Sequence, residues 1–227
     1  DDVFSTYVYE GNATARSINN GINLDGEGGL VWIKNRDDAD KSLLIDTERG
    51  ESKALYSSEG DGEVTTSGYA VTAFNSNGFS LAASSWSGEN VNNEDIVSWS
   101  FRKAPGFFDV VTYTGTGSAR TVAHNLGSAP GMILIKCTSE PSDWSVYHRS
   151  LGATKNMHLN NNSVADTQTG VFNDTEPTAT NFTVNYDGDV NKNGATYVAY
   201  LFAHDEQSFG TDSDEAIIKC GSWTASG

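Results

Sequence analysis

The stretch Y-E-G-N-A-T-A-R-S-I at residues 9–18 returns as Y-T-G-T-G-S-A-R-T-V at residues 113–122. Its tyrosine, its first glycine and its arginine all recur at an offset of 104 residues. Self-similarity at a fixed offset indicates an internal duplication, which sets the unit of folding before any motif is interpreted. The duplication also supplies an internal control, because a feature that is found in one copy only is not needed for the fold.

The match continues through both copies. G-L-V-W-I-K at residues 29–34 corresponds to G-M-I-L-I-K at 131–136, and V-S-W-S-F at 97–101 corresponds to V-A-Y-L-F at 198–202. The offset changes only from 104 to 101 residues along the repeat. Insertions and deletions are therefore few, and we expect them in turns, where they are best tolerated.

The repeat also predicts the domain boundaries. Pro105 and Gly106 separate the copies, because proline cannot donate a hydrogen bond to a β-ladder. We predict repeat 1 over residues 1–106 and repeat 2 over residues 107–206. We expect residues 207–227 to form an acidic loop, followed by the start of a third repeat or by a closing strand of repeat 2.

Apolar and polar residues alternate through most of the chain, as residues 97–102 and 198–202 illustrate. Successive side chains of a strand point to opposite faces of a sheet, so we expect the apolar set of each segment to face inward. Clusters of glycine, asparagine, aspartate and serine separate these segments, and Asn77-Gly78 predicts a β-hairpin. No segment has the period of an amphipathic helix.

These patterns predict an all-β protein. Each copy provides about six to eight short strands separated by turns, which is typical of a β-sandwich. We therefore predict two tandem β-sandwich domains, jelly-roll or lectin-like in type, that arose by the duplication. A single larger barrel is the alternative, and the duplication argues against it.

Charge limits the classes of partner. The chain has 30 acidic and 14 basic residues, for a formal net charge of −16. Nucleic-acid binding depends on basic residues that neutralise phosphates, and anionic membrane surfaces attract basic segments, so we expect neither partner. No run of about 20 apolar residues is present, and we expect no insertion into a membrane.

One acidic motif is a candidate metal site. D-G-D-V-N-K-N-G at residues 187–194 contains the first half of a calcium loop, in which alternating oxygen ligands converge where the chain turns at a glycine. The twelfth position from Asp189 is Tyr200 and not glutamate, so the complete motif is absent. A polar β-turn explains the same residues. Calcium is thus the candidate cation, no other cofactor is expected, and the candidate ligands are Asp187, Asp189, Asn191 and Asn193.

Two tryptophans are candidate glycan-binding residues. Trp86 and Trp144 lie beside polar loops, and exposed aromatic rings can stack on sugar rings; packing in the protein interior is the alternative for both. Catalytic residues are not predicted, because no G-x-S-x-G motif precedes a helix and all four histidines lie in the second copy. Cys137 and Cys220 could form at most one disulfide bridge, which the sequence leaves open.

Longer strings carry a family resemblance. They include F-S-T-Y-V-Y-E-G-N at 4–12, F-R-K-A-P-G-F-F-D-V-V-T-Y-T-G at 101–115 and A-H-N-L-G-S-A-P-G-M-I-L-I-K at 123–136. The chain resembles a repeated, uncharacterised domain in structural proteins of tailed phages, notably marine phages. The resemblance implies a virion protein on the particle surface, in a tail fibre or another appendage, with no catalytic residues.

The leading functional hypothesis is a non-enzymatic phage tail fibre or appendage module that is structural and adhesive toward host surface glycans. Its expected partners are other phage structural proteins, further copies of itself and a host glycan. A head-decoration or fibre protein with a purely assembly role is one alternative. A polysaccharide-degrading enzyme is the other, because a pair of catalytic carboxylates cannot be recognised by spacing in so acidic a chain.

Overall fold

A computed structural model describes residues 2–84, 88–206 and 215–224 of the chain. The chain divides into two compact units, Asp1–Lys103 and Ala104–Gly227. Among the described residues, helix is confined to three segments of four residues each, and the remaining regular structure is antiparallel strand. The prediction of an all-β fold is confirmed.

The described residues of unit 1 form nine strands and one short helix. In chain order these are β1 (Phe4–Glu10), β2 (Arg16–Asn19), α1 (Leu24–Glu27), β3 (Gly29–Asn35), β4 (Leu43–Asp46), β5 (Lys53–Tyr56), β6 (Val64–Thr65), β7 (Val71–Asn75), β8 (Gly78–Leu81) and β9 (Asp95–Arg102). A six-stranded sheet has the order β1-β9-β3-β4-β5-β6, and a three-stranded sheet has the order β2-β8-β7.

Unit 2 repeats the strand order of the larger sheet, but its short helices lie at different places along the chain. Its elements are β10 (Phe108–Thr114), β11 (Arg120–Ala123), β12 (Met132–Cys137), β13 (Ser145–His148), β14 (Lys155–His158), β15 (Asp166–Thr167), α2 (Thr169–Phe172), β16 (Asn181–Val184), α3 (Gly188–Asn191) and β17 (Thr196–Phe202). The six-stranded sheet has the equivalent order β10-β17-β12-β13-β14-β15, and β11 pairs with β16. The helix α2 occupies the place of β7 in the chain order.

Each unit has a hydrophobic core to which both of its sheets contribute. In unit 1, Ile18 and Phe79 of the smaller sheet pack in one cluster with Val31, Ile33 and Leu43 of the larger sheet. In unit 2, Val122 and Phe182 cluster in the same way with residues of β12 and β17. A core shared by two sheets agrees with a sandwich in each unit, which stays a prediction.

The inward face that we expected for β9 is wrong, and in β17 the expected residues Val198, Tyr200 and Phe202 are buried but lie outside the core cluster of unit 2. The core of unit 1 takes Ile96 from β9, whereas Trp99 lies opposite Trp32 on the other face of the sheet. The equivalent strand β17 contributes Tyr197, Ala199 and Leu201 to the core of unit 2. Periodicity identifies the two faces of a strand, and it cannot say which face a second sheet will cover when both carry apolar or small residues.

The Asn77-Gly78 hairpin is confirmed. Phe74 pairs with Phe79 and Asn75 pairs with Gly78, so β7 and β8 are joined by a two-residue loop. Gly78 has a φ of 133°, a backbone conformation that residues with a Cβ rarely adopt. No helix among the described residues has the length and apolar character needed to cross a membrane.

Candidate functional site

The residues that open the repeat meet at one corner of each unit. In unit 1, the Tyr9 hydroxyl donates a hydrogen bond of 2.8 Å to the Glu89 carbonyl. The Arg16 guanidinium lies 5.6 Å from the centre of the Tyr9 ring and donates to the Glu10 carbonyl at 2.8 Å. In this position the arginine makes a cation–π contact with the ring and also holds the end of β1.

Unit 2 builds the same corner from the equivalent residues. The Tyr113 hydroxyl donates to the Val190 carbonyl at 2.7 Å. Arg120 lies 6.0 Å from the centre of the Tyr113 ring and donates to the Thr114 carbonyl at 2.8 Å. The tyrosine and the arginine therefore recur in both copies because they make the same hydrogen bonds and the same cation–π contact in each unit.

A buried asparagine completes each corner. In unit 1 this is Asn90, whose amide donates to the carbonyls of Thr14 at 2.8 Å and Ala82 at 2.9 Å. Its side-chain oxygen accepts from the Asn12 N–H at 3.2 Å. One side chain thus ties the loop at residues 12–14 and the segment at Ala82 to its own segment. We call the group of Tyr9, Gly11, Arg16 and Asn90, with its counterpart Tyr113, Gly115, Arg120 and Asn191, the repeat corner.

Asn191 does in unit 2 what Asn90 does in unit 1. Its amide donates to the carbonyls of Ser118 at 2.7 Å and Asn185 at 2.6 Å, and its oxygen accepts from the Thr116 N–H at 2.9 Å. The residue is fully buried. We predicted Asn191 as a calcium ligand; the structure instead commits its amide group to the backbone.

The other three candidate calcium ligands do not converge with Asn191. Asp187 caps α3 and accepts from the Asp189 N–H at 2.8 Å, while Asn193 is exposed. The pKa of Asp189 is raised, mainly by burial and then by the nearby carboxylates of Asp187 and Asp143. Within the described residues, no group of three or more histidines, cysteines, aspartates or glutamates is arranged to hold a metal ion. Calcium binding stays a prediction.

The two tryptophans predicted to bind glycans have different outcomes. Trp144 is fully buried, and its ring stacks on that of Tyr200 with centroids 6.2 Å apart. A buried ring cannot stack on a sugar, so the prediction for Trp144 is wrong and the packing alternative is correct. Trp86 lies outside the described residues. Cys137 and Cys220 are both free thiols.

An open cleft in unit 1 is the candidate binding site. Its volume is about 360 Å³, and its lining includes Asp40, Lys41, Tyr56, Tyr69 and Glu89. Four of these residues come from loops, and Tyr56 is the last residue of β5. Surface loops on a rigid scaffold are where binding residues concentrate. We call this group the tyrosine cleft.

Burial, with a smaller contribution from neighbouring groups, sets the hydrogen-bonding state of the Tyr56 phenol. Burial raises the pKa of Tyr56 to about 12, and the neighbouring Tyr69 and Glu89 add to the shift. The phenol therefore keeps its proton at neutral pH and remains a hydrogen-bond donor. Lys41 lies 5.0 Å from the centre of the Tyr56 ring and 3.5 Å from the Glu59 carboxylate.

The tyrosine cleft belongs to one copy only. At the equivalent positions of repeat 2, His158 replaces Tyr56, Asp143 replaces Lys41 and Val190 replaces Glu89. The backbone around these positions is the same, because β4 and β5 of unit 1 correspond to β13 and β14 of unit 2. Because these side chains occur in one copy only and both copies have the same strand order, the fold does not require them.

Sequence reasoning found the tyrosine, glycine and arginine of the repeat corner, but it missed the role of the asparagines and the whole of the tyrosine cleft. The asparagines of the repeat corner were detectable, since Asn90 and Asn191 are separated by 101 residues, the same offset that relates β9 to β17. The cleft residues gave no such signal, because they are far apart in the sequence and occur once. A search for aromatic residues unique to one copy would have found Tyr56.

Fold and site together define a class: an all-β protein made of two copies of one repeat, each with the same corner, in which only the first copy carries the residues of the tyrosine cleft. The chain belongs to the family described as a domain of unknown function, DUF7483, whose model matches residues 1–221. The family model thus spans both copies. Neither a curated protein nor a solved structure matches the chain.

Proposed function

We propose that the chain is a non-enzymatic structural and adhesive module of a tailed-phage virion, and that repeat 1 binds host surface glycans in the tyrosine cleft. The observation that carries the proposal is the presence, in one copy only, of two tyrosines together with carboxylates and a lysine. Both copies share the strand order of the larger sheet and the repeat corner. The sequence resemblance to phage structural proteins supports the location on the particle surface.

The chemistry of the cleft suits a saccharide. Tyrosine rings offer an apolar face to the C–H groups of a pyranose and a hydroxyl to its polar edge. Asp40 and Glu89 can accept hydrogen bonds from sugar hydroxyls, and Lys41 can donate one. A few polar groups around an apolar surface are the usual composition of a small-molecule site.

The charges favour a neutral glycan over an acidic one. Two carboxylates of the cleft, Asp40 and Glu89, face one lysine, and Lys41 is already close to Glu59. A uronic acid or a sulfated sugar would meet like charge in the cleft and in a chain of net charge −16. We therefore expect neutral hexoses or N-acetylated sugars among the ligands.

A glycan array followed by calorimetric titration tests the proposal. We expect the chain to bind a subset of neutral glycans, and Tyr56→Ala to lower the affinity about tenfold, the loss of about one aromatic contact. His158→Ala, at the equivalent position of repeat 2, is the matched control and should bind as the unaltered chain does. Thermal unfolding of both variants checks that the folds are intact.

Absence of binding to any glycan on the array would favour the assembly-only alternative. Equal loss in both variants would show that the tyrosine cleft is not the binding site. Release of reducing ends from a bound polysaccharide would support the enzyme alternative instead. Immunogold electron microscopy of intact particles tests the virion location and the neighbouring structural proteins.

A further inference from the structure

Strand β1 is an edge of the larger sheet of unit 1, since among the described strands it has a neighbour on one side only. The Val3 carbonyl accepts from the Arg102 N–H, and the Gly11 N–H donates to the Glu94 carbonyl. Backbone groups alternate in direction along a strand, so the odd-numbered residues of β1 face β9. Thr6 and Val8 therefore direct their N–H and C=O groups away from the sheet.

These outward groups have no partner within unit 1. Among residues 2–84, 88–206 and 215–224, no hydrogen bond engages the N–H or C=O group of Thr6 or Val8. Both side chains are exposed, Val8 to 53%. An edge with unpaired backbone groups is a template for another strand unless it is protected.

Unit 2 protects the equivalent edge. In β10, Phe108 forms a β-bridge with Ala104, and the Val110 N–H donates to the Asp109 carboxylate at 3.0 Å. Asp109 and Val110 correspond to Ser5 and Thr6 of unit 1. Repeat 1 therefore lacks the aspartate that covers this edge in repeat 2.

The side chains of β1 also lack the usual protection of an edge. Residues 4–8 read F-S-T-Y-V, with no charge and no proline, although lysine and proline are what blunt an edge against pairing. Phe4 is 44% exposed and Tyr7 38% exposed. This uncharged row lies on a chain that carries 30 acidic residues.

We propose that β1 is a self-association surface, and that it pairs antiparallel with β1 of a second copy of this chain. A two-fold axis at Thr6 sets the outward groups of the two Thr6 residues against each other and places Val8 of one copy opposite Phe4 of the other. The contact is isologous, so it closes at a dimer. An equally acidic partner can approach closely only where the surface is uncharged, and residues 4–8 provide that surface.

The same register predicts a salt dependence. Asp2 of one copy lies opposite Glu10 of the other at each end of the paired strands, and like charges directly opposite are destabilising. Each copy also carries a net charge of −16. Salt screens both repulsions, so the dimer strengthens as the ionic strength rises.

Analytical ultracentrifugation over a range of concentrations, at low and at physiological salt, tests the proposal with the full chain. We expect a monomer–dimer equilibrium that shifts toward dimer with added salt. Val8→Lys should weaken the dimer at least tenfold, because it brings a charge into the pairing surface. Thr112→Lys, the same change at the equivalent position of β10, is the matched control and should leave the equilibrium unchanged.

Amide hydrogen exchange locates the contact. The N–H groups of Thr6 and Val8 should gain protection as the protein concentration rises, while those of Ser5 and Tyr7, which face β9, should stay protected throughout. A chain that remains monomeric at all concentrations overturns the proposal. So does a dimer that Val8→Lys leaves intact, or one in which Thr6 and Val8 exchange freely; in these cases the association uses another surface.

Discussion

Asn90 and Asn191 each hold together backbone segments that are distant in the sequence. Their amides have the two donors and one acceptor that the surrounding backbone requires, in the same geometry in both units. Few other side chains combine these groups at this size. The identity of the residue is thereby fixed by the polar groups that it must satisfy.

Replacing Asn191 by alanine removes the hydrogen-bond partner of backbone groups of Thr116, Ser118 and Asn185. We expect the free energy of unfolding to fall by about 1–3 kcal/mol. Asn193→Ala, at an exposed site of the same loop, should change it by less than about 0.5 kcal/mol. Urea denaturation of both variants measures the difference, and equal effects would contradict the role of the repeat corner.

His124 is the second informative residue, because repeat 1 has Asn20 in its place. The His124 Nδ1 accepts from the Leu126 N–H at 3.2 Å, as the Asn20 oxygen accepts from the Ile22 N–H at 3.2 Å. Burial lowers the pKa of His124 from its ordinary 6.5. The folded state therefore holds the neutral imidazole, with Nδ1 unprotonated.

This pKa shift predicts a loss of stability in mild acid. A histidine whose folded pKa is lowered stabilises the protein fully above about pH 6.5, and the contribution is lost as the pH falls through the folded pKa, because the unfolded state takes up a proton first. The melting temperature should thus decrease from pH 7.5 to pH 5.5. His124→Asn should flatten this decrease while keeping the Leu126 contact; an unchanged pH profile would exclude His124 as its source.

At the residue scale, the sequence predicted which positions matter to both copies but not what they do. Tyr9, Gly11 and Arg16 were found by their repetition, and their contacts explain it. Asn191 was predicted to be a calcium ligand from its local motif. The spacing of oxygen-bearing side chains cannot distinguish binding of a cation from capping of a helix or from hydrogen bonding to the backbone. The prediction that Trp144 binds a glycan was wrong for a related reason, since polar neighbours in the sequence do not determine whether a ring is buried.

At the scale of elements, the close approach of two segments depends on one glycine in each unit. A Cβ on Gly115 would lie 2.2 Å from the Lys192 carbonyl oxygen, and a Cβ on Gly11 would lie 1.9 Å from that of Val91. These contacts are shorter than any side chain allows. The segment before β17, like that before β9, can reach the repeat corner only past a glycine.

Gly115→Ala should therefore displace the segment that carries Asn191 and lower the free energy of unfolding by about 2–4 kcal/mol. Gly188→Ala is the control, because a Cβ there meets no atom within 4 Å and alanine favours helix at the start of α3. Thermal and urea unfolding of the two variants provide the measurement. A Gly115→Ala protein as stable as the control would show that the segment has room to move.

Strands with alternating sequences were predictable within a few residues, as β1, β3 and β9 illustrate. The two-residue strands β6 and β15 were not, because two residues carry no period and depend on pairing with a neighbouring strand. The helix α2 could not be foreseen for a similar reason: four residues are too few for a helical period. The all-β class followed from the many strands that were long enough to show alternation.

At the scale of the molecule, the duplication separates what the fold needs from what it permits. Both units keep the repeat corner and the strand order of the larger sheet. They differ in the tyrosine cleft, which only repeat 1 has, and in the edge at Asp109, which only repeat 2 protects. The functional proposals rest on these differences, so the equivalent position in the other copy provides a control variant for each proposal.

The two proposals also combine. A dimer formed through β1 carries two tyrosine clefts, and two linked sites bind a repetitive glycan more tightly than one because the second encounter is intramolecular. The gain appears as slower dissociation from a surface coated with glycan. Val8→Lys should remove the gain without changing the affinity of the single cleft for a free oligosaccharide.

The repeat corner determines when unit 1 can fold during synthesis. It joins the two ends of a unit: the hydrogen bond from Tyr9 to Glu89 spans 80 residues, and β1 finds its neighbour only in β9. Unit 1 therefore cannot close during synthesis before Arg102 has been added, roughly 5–20 s after the first residue of the unit at ordinary rates of translation, and has then left the ribosome. For that interval neither edge of β1 is paired, so the proposed contact between two copies has both edges of β1 exposed to it before unit 1 closes.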